Sequence, residues 1–263
     1  MKQRVLTACI FAPILLMLVF WGGLPFFAGI VLVTVVGIYE FGLMMQGRGV
    51  KWLNWLNMIA ALVFLVCVAW HFGAELIYAL IVYIVLMIIW GRRNFVSFSE
   101  IILSVIGVLY ISCGFGLMTS IRLSYESWLY LLLIILVIWV TDSGAYLIGS
   151  KIGKHKLAPR ISPKKTIEGF VGGTVCAVIL CTIFAVKFIG IGAVYALVII
   201  LIISLLAHAG DLLESVFKRW AGVKDSGNFF PGHGGVLDRF DSLLLAAPAA
   251  CLLYYFYEIL KAI

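Results

Sequence analysis

The stretch KDSGNFFPGHGGVLDRFDS, residues 224 to 242, gathers Asp225, Asp238 and Asp241 with Lys224, Arg239, His233 and four glycines. Asp238 and Asp241 are three apart, so they share a face if LDRFDSLLL opens a helix. Hard carboxylate oxygens of this kind suit Mg²⁺, which is held by one or two carboxylates plus waters and substrate phosphates. A helix N-cap is the other use open to either aspartate. Gly234 and Gly235 of GHGG can bring backbone amides close to an anion. The spacing is not that of a Walker loop, and GSKIGKHK fails it too. His233 could serve as a general base or bond its own loop, and its role stays open.

Two further groups carry polar chemistry. In SLLAHAGDLLESVFKRW the residues Ser204, His208, Asp211, Ser215 and Lys218 recur at intervals of three and four, with Glu214 beside them. That places a polar stripe on one helix face. Within a membrane such a stripe must face protein or water, either as interhelical hydrogen bonds or because its carboxylate has a metal or cation as partner. Asp142 lies inside another apolar span, and the loop behind it carries Arg160, Lys164 and Lys165. Basic side chains flanked by helix starts suit a polyphosphate or a phospholipid headgroup. Topogenic charge and attraction to anionic lipid are the alternative. Ser143 and Ser215 are not set in a G-x-S-x-G elbow, which speaks against a serine hydrolase.

The elements that position these groups are apolar. Of the 263 residues 64% are hydrophobic and 12% charged, and the mean hydropathy is +1.17, which places the chain in the membrane class. Crossing a bilayer takes about 20 apolar residues. Such stretches lie at 5–21, 25–45, 52–70, 74–90, 101–121, 127–148, 169–186, 194–213 and 241–260. The expected architecture is an all-α polytopic membrane protein of about nine transmembrane helices. With the N-terminus cytoplasmic and the C-terminus outside, sixteen of the nineteen Lys and Arg fall on the inner side, leaving Arg122, Lys187 and Lys261. That asymmetry is the positive-inside signature. The net charge of +7 is therefore mostly topological, and no nucleic-acid partner is expected.

Residues 1–121 read as scaffold helices and 122–263 as a catalytic region with cytoplasmic loops 149–168 and 214–240. Glu40 lies inside the second apolar stretch, near its inner end, and a hydrogen-bonded structural role is expected for it. All six cysteines fall in apolar segments, as small fillers. The first apolar run lacks an A-x-A site, so an uncleaved first helix is expected. No internal repeat supports a transporter built from duplicated halves, although intramembrane aspartates could also line an ion path.

The run SVFKRWAGVKDSGNFFPGHGGVLDRFD, Ser215 to Asp241, resembles the signature of the phosphatidate cytidylyltransferases, also called CDP-diacylglycerol synthases. TDSGAYLIG and RISPKKTIEG resemble two further segments typical of that family. The first 120 residues resemble it in hydropathy and size alone. The resemblance implies transfer of CMP from CTP to phosphatidate, releasing pyrophosphate, in the bacterial cytoplasmic (inner) membrane. It implies Mg²⁺, with a second cation either divalent or K⁺, and a homodimer among membrane lipids. Asp211 and Asp238 match the family's metal-binding carboxylates, with Asp142 and Asp241 as nearby or supporting groups. Lys218, Arg219, Lys224 and Arg239 would neutralise the triphosphate. Arg160, Lys164 and Lys165 would hold the phosphatidate headgroup, and Ser215, His233, Gly234 and Gly235 belong to the substrate-binding set. A CTP-dependent polyprenol kinase is the nearest alternative. A CDP-alcohol phosphotransferase is disfavoured, since its D-x-x-x-D spacing is absent.

Overall fold

A computed structural model describes residues 2–94, 96–124, 128–230, 232 and 234–262. Among the described residues the chain forms nine α-helices: α1 Lys2–Trp21, α2 Gly23–Gly47, α3 Asn54–Ala69, α4 Gly73–Asn94, α5 Phe98–Ser124, α6 Leu129–Ile152, α7 Ile167–Phe184, α8 Ala193–Trp220 and α9 Leu237–Ala262. Each coincides with one apolar stretch of the sequence, because in lipid a helix satisfies its own backbone groups. Seven of them, α2 and α4 to α9, are long and apolar enough to cross a bilayer. The chain is a polytopic, nearly all-helical membrane protein. The apolar part of α1, Cys9–Trp21, and α3 are shorter. At 1.5 Å per residue α3 rises about 24 Å, less than the ~30 Å hydrocarbon core.

Two segments are more ordered than their polarity suggests. Helix α8 continues past the apolar span 194–213 to Trp220 and carries the polar stripe with it, so residues 214–220 are helical. Lys218 and Arg219 in its last turn complement the helix dipole. Within 149–168, α6 runs on to Ile152 and a short antiparallel hairpin follows, β1 Lys156–Ala158 and β2 Ser162–Thr166, with Lys156 opposite Thr166 and Ala158 opposite Ser162. Thr166 Oγ1 then accepts the Gly169 N–H at 3.2 Å and caps α7.

The chain divides into two compact units, Met1–Ser124 with Lys218–Phe240, and Tyr125–Phe217 with Asp241–Ile263. In the first, α3 packs along α5, and α2 lies against both. Phe41, Phe64 and Phe115 are buried at its centre, and Tyr83 donates to Asn57 Oδ1 at 2.8 Å. Helix α4 buries little of itself against the chain and exposes Ile77, Ile81, Val82 and Ile89, an apolar face suited to lipid.

In the second unit α6 lies close along α7. Gly144 faces Gly173, and Gly149 faces Gly169, the small-residue contact that lets membrane helices approach. Thr141 Oγ1 and Ser204 Oγ are 2.9 Å apart, and Ser204 Oγ donates to Thr174 Oγ1 at 3.3 Å, tying α6, α7 and α8. A Cβ at Gly173 would lie 2.8 Å from the Ala145 amide nitrogen and collide with the Thr141 carbonyl oxygen. Gly173→Ala is therefore expected to destabilise by about 1–3 kcal/mol through overpacking. Gly47→Ala, with nothing within 4 Å, should change the melting temperature little. Thermal unfolding in detergent checks both.

Candidate functional site

The polar residues gather into two clusters, one in each unit. In the Tyr125–Phe217 and Asp241–Ile263 unit, α6, the β2 strand, α7 and α8 enclose a cavity of about 390 Å³, within the size range of small-molecule sites. Asp142 from α6, Lys164 and Lys165 from β2, Phe170 from α7, and His208 and Asp211 from α8 line it. The hairpin is what aims the lysines. Lys165 reaches Asp211, Nζ to Oδ2 2.5 Å, with both side chains partly exposed. Ser215, one turn further along α8, has its Oγ 3.5 Å from Asp211 Oδ1. Arg160 stands exposed in the hairpin turn. Asp241 lies in the first turns of α9, and its carbonyl oxygen leaves no room for a Cβ at Gly210 of α8.

His208 belongs to this cluster and was legible before only as a member of the stripe. It is 5% exposed, its ring lies 4.6 Å from that of Phe170, and its Nε2 has no hydrogen-bond partner among the described residues. Ser204, in contrast, is taken up by the interhelical hydrogen bonds described above.

The second cluster belongs to the unit of Met1–Ser124 and Lys218–Phe240. Asp238, in the first turn of α9, receives Lys218 Nζ on Oδ1 at 2.5 Å, and the two side chains are 6% and 10% exposed. Its Oδ2 accepts the N–H groups of Ser226 and Gly235, each at 2.8 Å, and lies 3.0 Å from Ser226 Oγ. The Gly235 amide is thus directed at a carboxylate of its own chain. Gly234, at φ 82°, holds a backbone conformation open to glycine, and a Cβ there would meet Asp238. Glu40 of α2 lies against the same loop. Its oxygens accept the N–H groups of Val236 and Leu237 at 2.9 and 3.0 Å. Lys224 and Arg239 are exposed, and Arg219 donates to the Val223 carbonyl at 3.0 Å. His233 lies outside the described residues.

Each cluster therefore sets a lysine on an aspartate that the sequence had singled out. A lysine ammonium against a carboxylate oxygen marks that oxygen as a place where positive charge is favourable. Among the described residues no three His, Cys, Asp or Glu side chains converge. A hard cation would take one or two carboxylate oxygens from the protein and the rest from water and phosphate, the manner in which Mg²⁺ is commonly bound. The donor set fits such an ion.

Residues 2–258 match the model of the Cytidylyltransferase family. The chain is 38% identical over 261 residues to a phosphatidate cytidylyltransferase of Bacillus subtilis, covering 94% of this chain and 95% of the relative. It is 37% identical to proteins of the same name from Staphylococcus saprophyticus and Staphylococcus aureus, over 94% of this chain and 96% of each relative.

Proposed function

Because the chain belongs to the cytidylyltransferase family, we propose that it transfers CMP from CTP to phosphatidate, giving CDP-diacylglycerol and pyrophosphate. A phosphate oxygen of phosphatidate attacks the α-phosphorus of CTP. The bond from that phosphorus to the bridging oxygen breaks, and the electron pair leaves with pyrophosphate. The likeness along almost the whole chain carries this reading, and the cavity lined by Asp142, Asp211, Lys164 and Lys165 supports it. Such transfer calls for positioning and charge neutralisation more than covalent help.

Asp211 and Asp238 are the proposed Mg²⁺ ligands, with Asp142 and Asp241 as supporting carboxylates and a second cation, divalent or K⁺, in reserve. When bound, Mg²⁺ would screen the triphosphate and the charge growing on pyrophosphate. Lys218, Arg219, Lys224 and Arg239 supply positive charge toward the nucleotide. Lys165, Lys164 and Arg160 hold the phosphate of phosphatidate, whose acyl chains stay in lipid. Ser215 orients Asp211. The helices cross the bacterial inner membrane nine times, N-terminus inside and C-terminus outside, which turns residues 149–168 and 214–240 to the cytoplasm, and the chain works as a homodimer.

The experiment supplies detergent-solubilised protein with phosphatidate, Mg²⁺ and CTP labelled at either the α- or the γ-phosphorus. Label from the α-position is expected in the lipid, with γ-label released as pyrophosphate. Transfer of γ-label into lipid would instead indicate a lipid kinase. Substituting EDTA for Mg²⁺ is expected to stop product formation, and undiminished turnover in EDTA would remove the metal from the scheme.

A further inference from the structure

Glu40 is 3% exposed, and among the described residues its hydrogen-bond donors come from the segment that leads into Asp238. Oε1 accepts Val236 N–H, while Oε2 accepts Leu237 N–H and lies 3.2 Å from Ser226 Oγ. Val236 and Leu237 stand at the start of α9, where the first N–H groups lack intrahelical acceptors and negative charge is favoured. Two glycines admit the loop to this carboxylate. A Cβ at Gly227 would lie 2.6 Å from Oε1, and one at Gly235 would collide with Oε2.

Ser226 links the two acids. Its Oγ is 3.2 Å from Glu40 Oε2 and 3.0 Å from Asp238 Oδ2. A hydroxyl has a single proton to donate, so it serves one carboxylate at a time and ties the place of each to the other. With the Ser226 and Gly235 amides also on Oδ2, the Asp238 rotamer is set and Oδ1 is turned to Lys218. A carboxylate inside an apolar helix is costly, and an apolar side chain at position 40 would pack α2 without that cost.

We propose that Glu40 is a positioning residue for Asp238, acting through Ser226 and the start of α9 to fix which oxygen Asp238 presents. The inference rests on Asp238 serving CMP transfer as a cation ligand. Glutamine at position 40 keeps the volume but sets an NH₂ donor against a backbone N–H. A misplaced ligand costs on the order of a hundredfold in rate.

The test compares wild type, Glu40→Gln, Ser226→Ala and Tyr83→Phe as purified full-length protein. It measures kcat, the Mg²⁺ concentration for half-maximal rate, KM for phosphatidate, and amide exchange of residues 224–240 in metal-free protein. Glu40→Gln is expected to lower kcat about a hundredfold, raise the Mg²⁺ requirement, leave KM for phosphatidate unchanged, and speed exchange in 224–240 with Mg²⁺ absent. Ser226→Ala keeps both backbone donors to Glu40 and should lower kcat about tenfold. Tyr83→Phe loses the buried bond to Asn57 and should lower the melting temperature with kcat and Mg²⁺ requirement intact. Wild-type kcat and Mg²⁺ requirement in Glu40→Gln overturn the proposal. Should Glu40→Gln fail to fold, Ser226→Ala decides, and unchanged kinetics and exchange there overturn it equally. Absence of CTP turnover by wild type overturns the function first and this inference with it, whereas an active wild type beside an unaffected variant sinks Glu40 alone.

Discussion

Asp238→Asn is expected to lower CMP transfer by on the order of a thousandfold and also to destabilise the folded protein. The two effects have separate causes. Asparagine can still offer a carbonyl oxygen to the Ser226 and Gly235 amides, but its NH₂ then confronts Lys218 Nζ, where Asp238 Oδ1 now accepts at 2.5 Å. Lys218 is 8% exposed, so its ammonium would face a donor in a poorly solvated place. Removing one partner of a buried pair costs about 3–5 kcal/mol, whereas replacing both is often neutral. The double variant Asp238→Asn, Lys218→Met is therefore expected to regain most of the melting temperature and none of the activity. Incorporation of α-labelled CTP into extractable lipid, measured beside thermal unfolding, separates the two. If activity returned together with stability, Asp238 would be a structural residue.

Asp211→Asn should behave differently. It is expected to cost a hundredfold to a thousandfold in rate with the melting temperature almost unchanged. Asp211 and Lys165 keep 30% and 22% of their side-chain surfaces open, and ion pairs of that exposure contribute about 0–1 kcal/mol. The aspartate also opens on the cavity with Asp142 and Lys164, so the lost charge is felt there rather than in the packing. The same lipid-incorporation assay and melting curve apply. Wild-type-like rates in both Asp211→Asn and Asp238→Asn would refute their assignment as metal ligands.

The positions of the helices were legible because lipid leaves a chain few choices. An apolar run must satisfy its backbone within itself, so each apolar stretch became a helix. The stripe on α8 was equally legible, since intervals of three and four put Asp211, Ser215 and Lys218 on one face. Less legible was which members of that face do chemistry. Ser204 is consumed in bonds to Thr141 and Thr174, while His208, beside the cavity, keeps a buried nitrogen without a partner among the described residues. Periodicity treats the two alike, because it reports direction from the helix axis and not the neighbour met there. The hairpin Lys156–Thr166 was also hidden, since strands of three and five residues are too short for alternation to register.

By itself the sequence determined the membrane class and the run of helices, which follow from hydropathy and local spacing, and it carried the run from Ser215 to Asp241 in which the chain resembles its family. Tertiary structure decided the partnerships: Lys165 with Asp211, Lys218 with Asp238, and Glu40 with a loop nearly two hundred residues further along the chain. Those partners are chosen by distance in space, and a carboxylate in a low-dielectric interior holds whichever donors the fold brings to it. Spacing along the chain carries no record of that choice.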